Sequence, residues 1–303
     1  MSGYALIGTL IMRNILLILG LLISSVVHSD TIPEFYGSIK KAKVGNATIS
    51  YYHFGHGKPL VLVPGHGQSM IMWHPELLKQ LSSHREVIMF DYPGIGESTI
   101  DGAYPNSMTQ LTALVTAFID ELKLDRPDLL GFSMGGSLVL RMTTQNSNRF
   151  DHIIVVGTKA GGKQTVLSRR RYFDMINDPK VSSAVVIRTL FFPVRAVKQA
   201  EEYLDILNQL PPQKMDNAAV KAQGRAIEAD IASDGIWKQL TLIRSKALVL
   251  NGTHDVLTLV QNAVMIADAI PGAWLIQIRN AGHGVLFQDP DYAAQIIELF
   301  LRS

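Results

Sequence analysis

The chain has 303 residues, 47% of them hydrophobic and 18% charged, enough to bury a sizeable core in one large domain and too apolar for intrinsic disorder. Lys and Arg number 28 against 26 Asp and Glu, a balance that sets up no long-range field to recruit nucleic acid, so the expected partner is a small molecule. Cysteine is absent, which excludes a thiol nucleophile, a thiolate metal site and any disulfide framework.

Ile15 to Val27 is an unbroken run of apolar and small residues just after Arg13, and Val27-His28-Ser29 offers a cleavage site. This is the pattern of a secretory signal peptide over residues 1–29, with Met12 as the natural start, and it predicts export. The alternative joins Ala5 to Met12 with the later run and makes the segment a membrane anchor. From Ile39 to Phe54 the text alternates around Gly45-Asn46, predicting two antiparallel strands and a tight turn. Leu60 to Val63 and Val87 to Phe90 are short continuous apolar runs, as expected of strands buried on both faces. Leu111, Leu114, Val115, Phe118, Ile119 and Leu122 recur at helical spacing, so residues 107–124 are read as an amphipathic helix capped by Ser107.

A further strand and helix flank Gly131-Phe132-Ser133-Met134-Gly135. Ile153 to Val156, Ala247 to Leu250 and Trp274 to Ile278 read as core strands, and Val260 to Ala269 and Asp291 to Leu301 as helices. Strands alternating with helices predict an α/β fold with a mostly parallel, doubly wound sheet. Between about Lys163 and Leu240 the alternation stops, and helical, Arg-rich, Pro-interrupted text predicts a helical insertion spanning 163–240. The core is then 30–162 and 241–303.

Gly131 to Gly135 fits G-x-S-x-G between a strand and a helix, a turn that presents the Ser133 hydroxyl, although a serine there can also simply cap the helix. A serine hydroxyl needs a base to take its proton and a group to orient that base. Asp255 follows the Ala247 strand and His283 the Trp274 strand, both at carboxyl ends where open parallel sheets place their sites. Taken singly, Asp255 reads as a helix cap and His283 as a loop histidine.

With these residues in the order serine, acid, histidine, the chain from about Ile39 to Leu301 resembles the α/β-hydrolase superfamily. Leu60 to Trp73 is similar to the family's strand and oxyanion-hole turn, Asp91 to Ser98 to its next turn, and the insertion to its helical cap domain. The resemblance implies a triad of Ser133, His283 and Asp255, with backbone N–H groups of His66 and Met134 as the oxyanion hole and no cofactor. Some relatives place the acid after the Ile153 strand, but Gly157 to Gly162 holds none. The turn departs from the family's usual His-Gly by reading Pro64-Gly65-His66, which leaves a backbone donor intact.

The expected reaction is hydrolysis of a carboxylic ester or lactone. Same-fold alternatives are a carbon–carbon bond hydrolase, a perhydrolase or haloperoxidase-like enzyme and an acyltransferase; a non-enzymatic ligand-binding receptor is the alternative of another class. No His, Asp or Glu group has convincing metal-ligand spacing. His53, His56, His254 and the Arg169 to Arg171 run read as surface or structural residues, and Phe191, Phe192 and Trp237 as packing within the cap.

Overall fold

The computed structural model describes residues 32–178 and 180–303, so the expected signal segment lies outside the described residues. Among them, nine strands form one sheet: β1 (Lys40–Val44), β2 (Ala47–Gly55), β3 (Lys58–Val63), β4 (Arg85–Phe90), β5 (Thr99–Ile100), β6 (Asp128–Phe132), β7 (His152–Val156), β8 (Lys246–Gly252) and β9 (Trp274–Ile278). Their order is β1-β2-β4-β3-β6-β7-β8-β9, with β5 beside β2. β1, β2 and β5 pair antiparallel, and from β4 through β9 every pairing is parallel. The β1–β2 hairpin turns at Gly45, whose φ of 57° suits glycine, with Val44 opposite Ala47.

Three helices precede β7: α1 (Pro75–Ser82), α2 (Met108–Glu121) and α3 (Met134–Gln145). Four lie between β7 and β8: α4 (Arg170–Asn177), α5 (Ser183–Leu190), α6 (Val197–Asn208) and α7 (Asn217–Ala232). The last three are α8 (Val260–Ala269), α9 (Val285–Gln288) and α10 (Pro290–Leu301). Ser107 caps α2 as its position suggests, its hydroxyl accepting from Gln110 N–H at 3.2 Å.

The continuous apolar strands divide their side chains between two cores, as the two-residue period requires. Leu60, Leu62, Leu130, Ile154 and Leu248 pack with Leu77, Leu81, Ile297 and Phe300 of α1 and α10. Val61, Val63, Leu129, Ile153 and Val249 turn the other way, toward Val115, Phe118, Leu138 and Ile266 of α2, α3 and α8. Helices on both faces bury β6 and β7 at every residue. β9 corrects the reading of Trp274 to Ile278 as a core strand: it is the sheet's edge, paired only with β8, and Trp274 is 39% exposed.

Candidate active site

Four strands aim their carboxyl ends at one place: β3 leads to His66, β6 to Ser133, β8 to Asp255 and β9 to His283. Ser133 joins β6 to α3 at φ 54° and ψ −117°, a conformation costly for a residue with a Cβ and held only where the surroundings over-determine it. What holds it is close backbone packing. A Cβ on Gly131 would lie 2.6 Å from Gly135 O, and one on Gly135 2.0 Å from Val63 O, so strand and helix meet at glycine-only distances. Ser133 N–H donates to Val156 O at 2.8 Å, while its side chain makes no cap hydrogen bond. The bland capping role for this serine is therefore not what the structure shows.

Asp255 serves two partners with its two oxygens. Oδ1 accepts from Leu257 N–H and Thr258 N–H, both at 2.8 Å, and shapes the turn that follows β8. Oδ2 accepts from Thr258 Oγ1 at 2.7 Å and lies 2.8 Å from His283 Nδ1. Asp255 thus both shapes the turn, as a cap would, and engages the His283 ring. His283 is buried, and a carboxylate oxygen beside Nδ1 places that proton there, which leaves Nε2 the basic lone pair. Gly157, at φ 55°, backs the pair: a Cβ there would lie 3.1 Å from His283 Nδ1 and 3.4 Å from Asp255 Oδ2. Thr258 and Gly157 were not foreseen from the sequence. A threonine three residues after the acid was the available signal for the first.

The turn after β3 is braced from several sides. Gly65 N–H donates to Gln68 Oε1 and Gly67 N–H to Gln223 Oε1 of α7, each at 2.8 Å. Tyr92 OH holds Pro64 O at 3.0 Å. The His66 side chain lines the cavity, yet its Nε2 is 2.9 Å from Val220 O, and burial lowers its pKa, so it stands as a neutral ring donating to that carbonyl. Behind the turn, Met70 N–H donates to buried Asp91 Oδ1 at 2.6 Å, while Asp91 Oδ2 is buried and within hydrogen-bond geometry of no partner among the described residues.

Burial raises the Asp91 carboxyl from its ordinary 3.8 to about 7. The folded chain therefore keeps this proton up to about pH 7, whereas the unfolded chain releases it near 4; ionisation favours the unfolded state across that window, and stability falls as pH rises through it. Asp91→Asn cannot ionise, so its stability relative to the unmodified protein is expected to rise from about pH 4 to about pH 7 and then level off. Denaturant melts at several pH values check this, and a flat difference would mean that Asp91 titrates normally.

Ser133, His66 and His283 line a cavity of about 640 Å³ walled also by α5, α6 and α7. Its aromatic side corrects the reading of Phe191 as mere packing: Phe191 lines the cavity, and its ring centroid is 5.5 Å from the His283 ring. The His283 loop comes so near that a Cβ on Gly282 would lie 2.4 Å from Phe191 O, and Gly284 N–H donates to that oxygen at 2.8 Å. Phe192 is buried against Tyr203, and Trp237 donates to Gly161 O at 2.6 Å. His56, His254 and Arg169 to Arg171 are exposed, and His53 is half-buried beside Glu86.

At the opposite, amino-terminal end of the strands, Asp128, Asp151 and His152 gather potential ligand atoms within 4.8 Å, which spacing along the chain did not suggest. Arg85 at 2.8 Å and Lys58 at 3.0 Å already neutralise Asp128, and Lys58 and Arg126 pair with Asp151. The donor set therefore reads as an ion-pair network that ties β3, β4, β6 and β7 together, and not as a metal centre.

This order of strands with a serine elbow, an acid and a histidine at their carboxyl ends defines a class of fold and site. Residues 58–290 match the family model described as alpha/beta hydrolase fold, and the chain belongs to that family. It is 30% identical over 274 residues to a 2-hydroxy-6-oxo-2,4-heptadienoate hydrolase of Pseudomonas putida, covering 86% of this chain and 94% of that one. A putative carbamate hydrolase from a Caulobacter species is 26% identical over 257 residues, 79% of this chain and 91% of the relative. Among solved structures, an alpha/beta hydrolase fold protein from Chitinophaga pinensis superimposes with a TM-score of 0.79 at 24% identity, covering 88% of this chain and 97% of that one. Membership of a hydrolase family supports an enzyme of the α/β-hydrolase type.

Proposed function

We propose that this protein is a serine hydrolase that cleaves a carboxylic ester or lactone through an acyl-enzyme on Ser133. The observation that carries the reading is Ser133 at φ 54° in a cavity it shares with His283, whose Nδ1 is engaged by buried Asp255. In this mechanism His283 Nε2 takes the Ser133 proton as Oγ attacks the scissile carbonyl, and Asp255 balances the imidazolium that forms. The oxyanion rests on the N–H groups of His66 and Met134, neither of which donates to a protein acceptor among the described residues. Each such donor contributes about 3 to 4 kcal/mol to lowering the barrier. The protonated imidazole then hands its proton to the leaving alkoxide, and a water activated by the same nitrogen hydrolyses the acyl-enzyme. Helices α4 to α7 act as a cap whose side chains select the substrate.

Carbon–carbon bond hydrolysis is the second reading, favoured by the activity for which the Pseudomonas putida relative is named. Turnover of a 2-hydroxy-6-oxo-dienoate in preference to simple esters would select it. For the serine chemistry itself the test is a fluorophosphonate probe. The probe is expected to label the protein once, at Ser133, and not to label Ser133→Ala. Labelling that persists in that variant would overturn the proposal, and complete inertness of the unmodified protein would favour a ligand-binding receptor.

A further inference from the structure

The cavity has two unlike walls. Around His283 the wall is aromatic, with the Phe132 ring 4.9 Å from the imidazole and Tyr203 and Phe287 stacked at 4.9 Å. Where the chain leaves β7 and meets α7, the wall carries Lys159. The Lys159 ammonium sits over the Phe173 ring, 5.4 Å from its centroid, and no carboxylate lies within 4.0 Å of it among the described residues. The two carboxylates that act on it from farther off are otherwise engaged. Asp230 pairs with Arg141, and Asp255 accepts from His283 and Thr258. Burial accordingly lowers the Lys159 ammonium to about 8, a sign that the protein's own carboxylates under-compensate its charge.

Two hydroxyl hydrogen bonds hold the backbone around Lys159 to the turn and helix of the nucleophile. Thr158 Oγ1 donates to Ser133 O and Ser137 Oγ to Lys159 O, each at 2.7 Å, which uses the one proton of each hydroxyl; the two oxygens lie 3.0 Å apart. The backbone that carries Lys159 is thereby held beside the backbone that carries Ser133, and the ammonium, over the Phe173 ring, lines the same cavity as Ser133. The neighbouring cavity groups do not compete for this role: the neutral His66 ring is bonded to Val220 O, and Glu228 lies exposed.

We infer that Lys159 is a specificity-determining residue that receives a carboxylate of the substrate, making the preferred substrates esters or lactones that carry an acid group away from the scissile bond. A carboxylate there supplies the missing counter-charge through a charge-assisted hydrogen bond in a water-poor site. This rests on the serine-hydrolase reading above. The acid can belong to the acyl part or to the leaving alcohol, and the two are separated by substrate design.

The experiment compares mono-4-nitrophenyl adipate, with the acid on the acyl side, and 4-carboxyphenyl hexanoate, with the acid on the leaving side, against neutral 4-nitrophenyl hexanoate. The ratio of kcat/KM for one of the acidic esters to that for the neutral ester is expected to fall about tenfold or more in Lys159→Met, through KM, the scale of a lost charge-assisted hydrogen bond. Lys159→Arg should recover part of the ratio. A parallel binding measurement uses Ser133→Ala, in which mono-4-nitrophenyl adipate or 4-carboxyphenyl hexanoate should raise the melting temperature more than the neutral ester does, and that excess should vanish when Lys159→Met is added. Ratios and melting shifts indifferent to Lys159 for both acidic esters, or a ratio that Lys159→Arg leaves as low as Lys159→Met does, would overturn the inference. Failure of every ester to turn over while the Lys159-dependent melting shift persists would instead overturn the ester-hydrolase reading.

Discussion

Asp255→Asn is expected to lower kcat on a good ester by about ten-thousand-fold while the fold survives. The surroundings decide which way the new amide turns. Two N–H groups, of Leu257 and Thr258, point at Oδ1, so the amide oxygen takes that side. Its NH₂ then faces Thr258 Oγ1 and His283 Nδ1, where Oδ2 stood. An NH₂ donating to Nδ1 drives the imidazole proton onto Nε2, and the nitrogen that should accept the Ser133 proton no longer can. The same amide cannot balance an imidazolium. The turn after β8 keeps both of its backbone hydrogen bonds, which is why stability should change little. Ser133→Ala and His283→Ala should cost at least as much, and the double variants little more than the worst single, since the three groups act as one unit. Steady-state kinetics with active-site titration measures this. Near-normal kcat in Asp255→Asn would reduce Asp255 to its role in the turn.

Much of this site was legible because its determinants are local. The glycines at 131 and 135, the strand before them and the helix after them lie within a short stretch, and the positive φ of Ser133 is the outcome that such a stretch permits. The helix ends were legible for the same reason, as at Ser107, where one hydroxyl and one N–H three residues on make the cap. What could not be read depended on residues far apart in the chain. Phe191 comes to His283 because α5 ends against the glycines of the β9–α9 loop, a contact across about ninety residues that no periodicity encodes. Lys159 looks like any lysine after a strand until α4 brings Phe173 under its ammonium and α7 closes the same cavity. The edge position of β9 was likewise hidden, since apolar text identifies a strand and not its place in the sheet. The ion-pair network of Asp128 joins residues from the starts of four strands, and only the parallel registers bring those starts together.

Gly135→Ala is expected to destabilise the chain strongly although it adds a single methyl. At most glycines in turns the difficulty is the backbone angle, but Gly135 lies inside α3, where alanine is the better helix former by about 1 kcal/mol. Propensity alone therefore predicts stabilisation. Packing decides the opposite: the new Cβ would lie 2.0 Å from Val63 O and 2.7 Å from Pro64 O, both backbone atoms of the strand and turn that lead to His66. No side-chain rotation relieves such a contact, so α3 must move away from β3, and overpacking of this kind costs about 3 kcal/mol or more. The displacement would separate Met134 N–H from His66 N–H, so activity should be lost out of proportion to the fraction unfolded. Gly136→Ala provides the contrast, because its Cβ would meet the Thr158 side chain at 2.7 Å and comes no nearer than 3.0 Å to a backbone oxygen, that of Gly131. That variant is expected to fold with a smaller loss of melting temperature. Thermal melts of both variants, with fluorophosphonate labelling rates measured well below each melting point, test the argument. If Gly135→Ala melts and labels like the unmodified protein, the close approach of α3 to the turn after β3 is not what shapes this site.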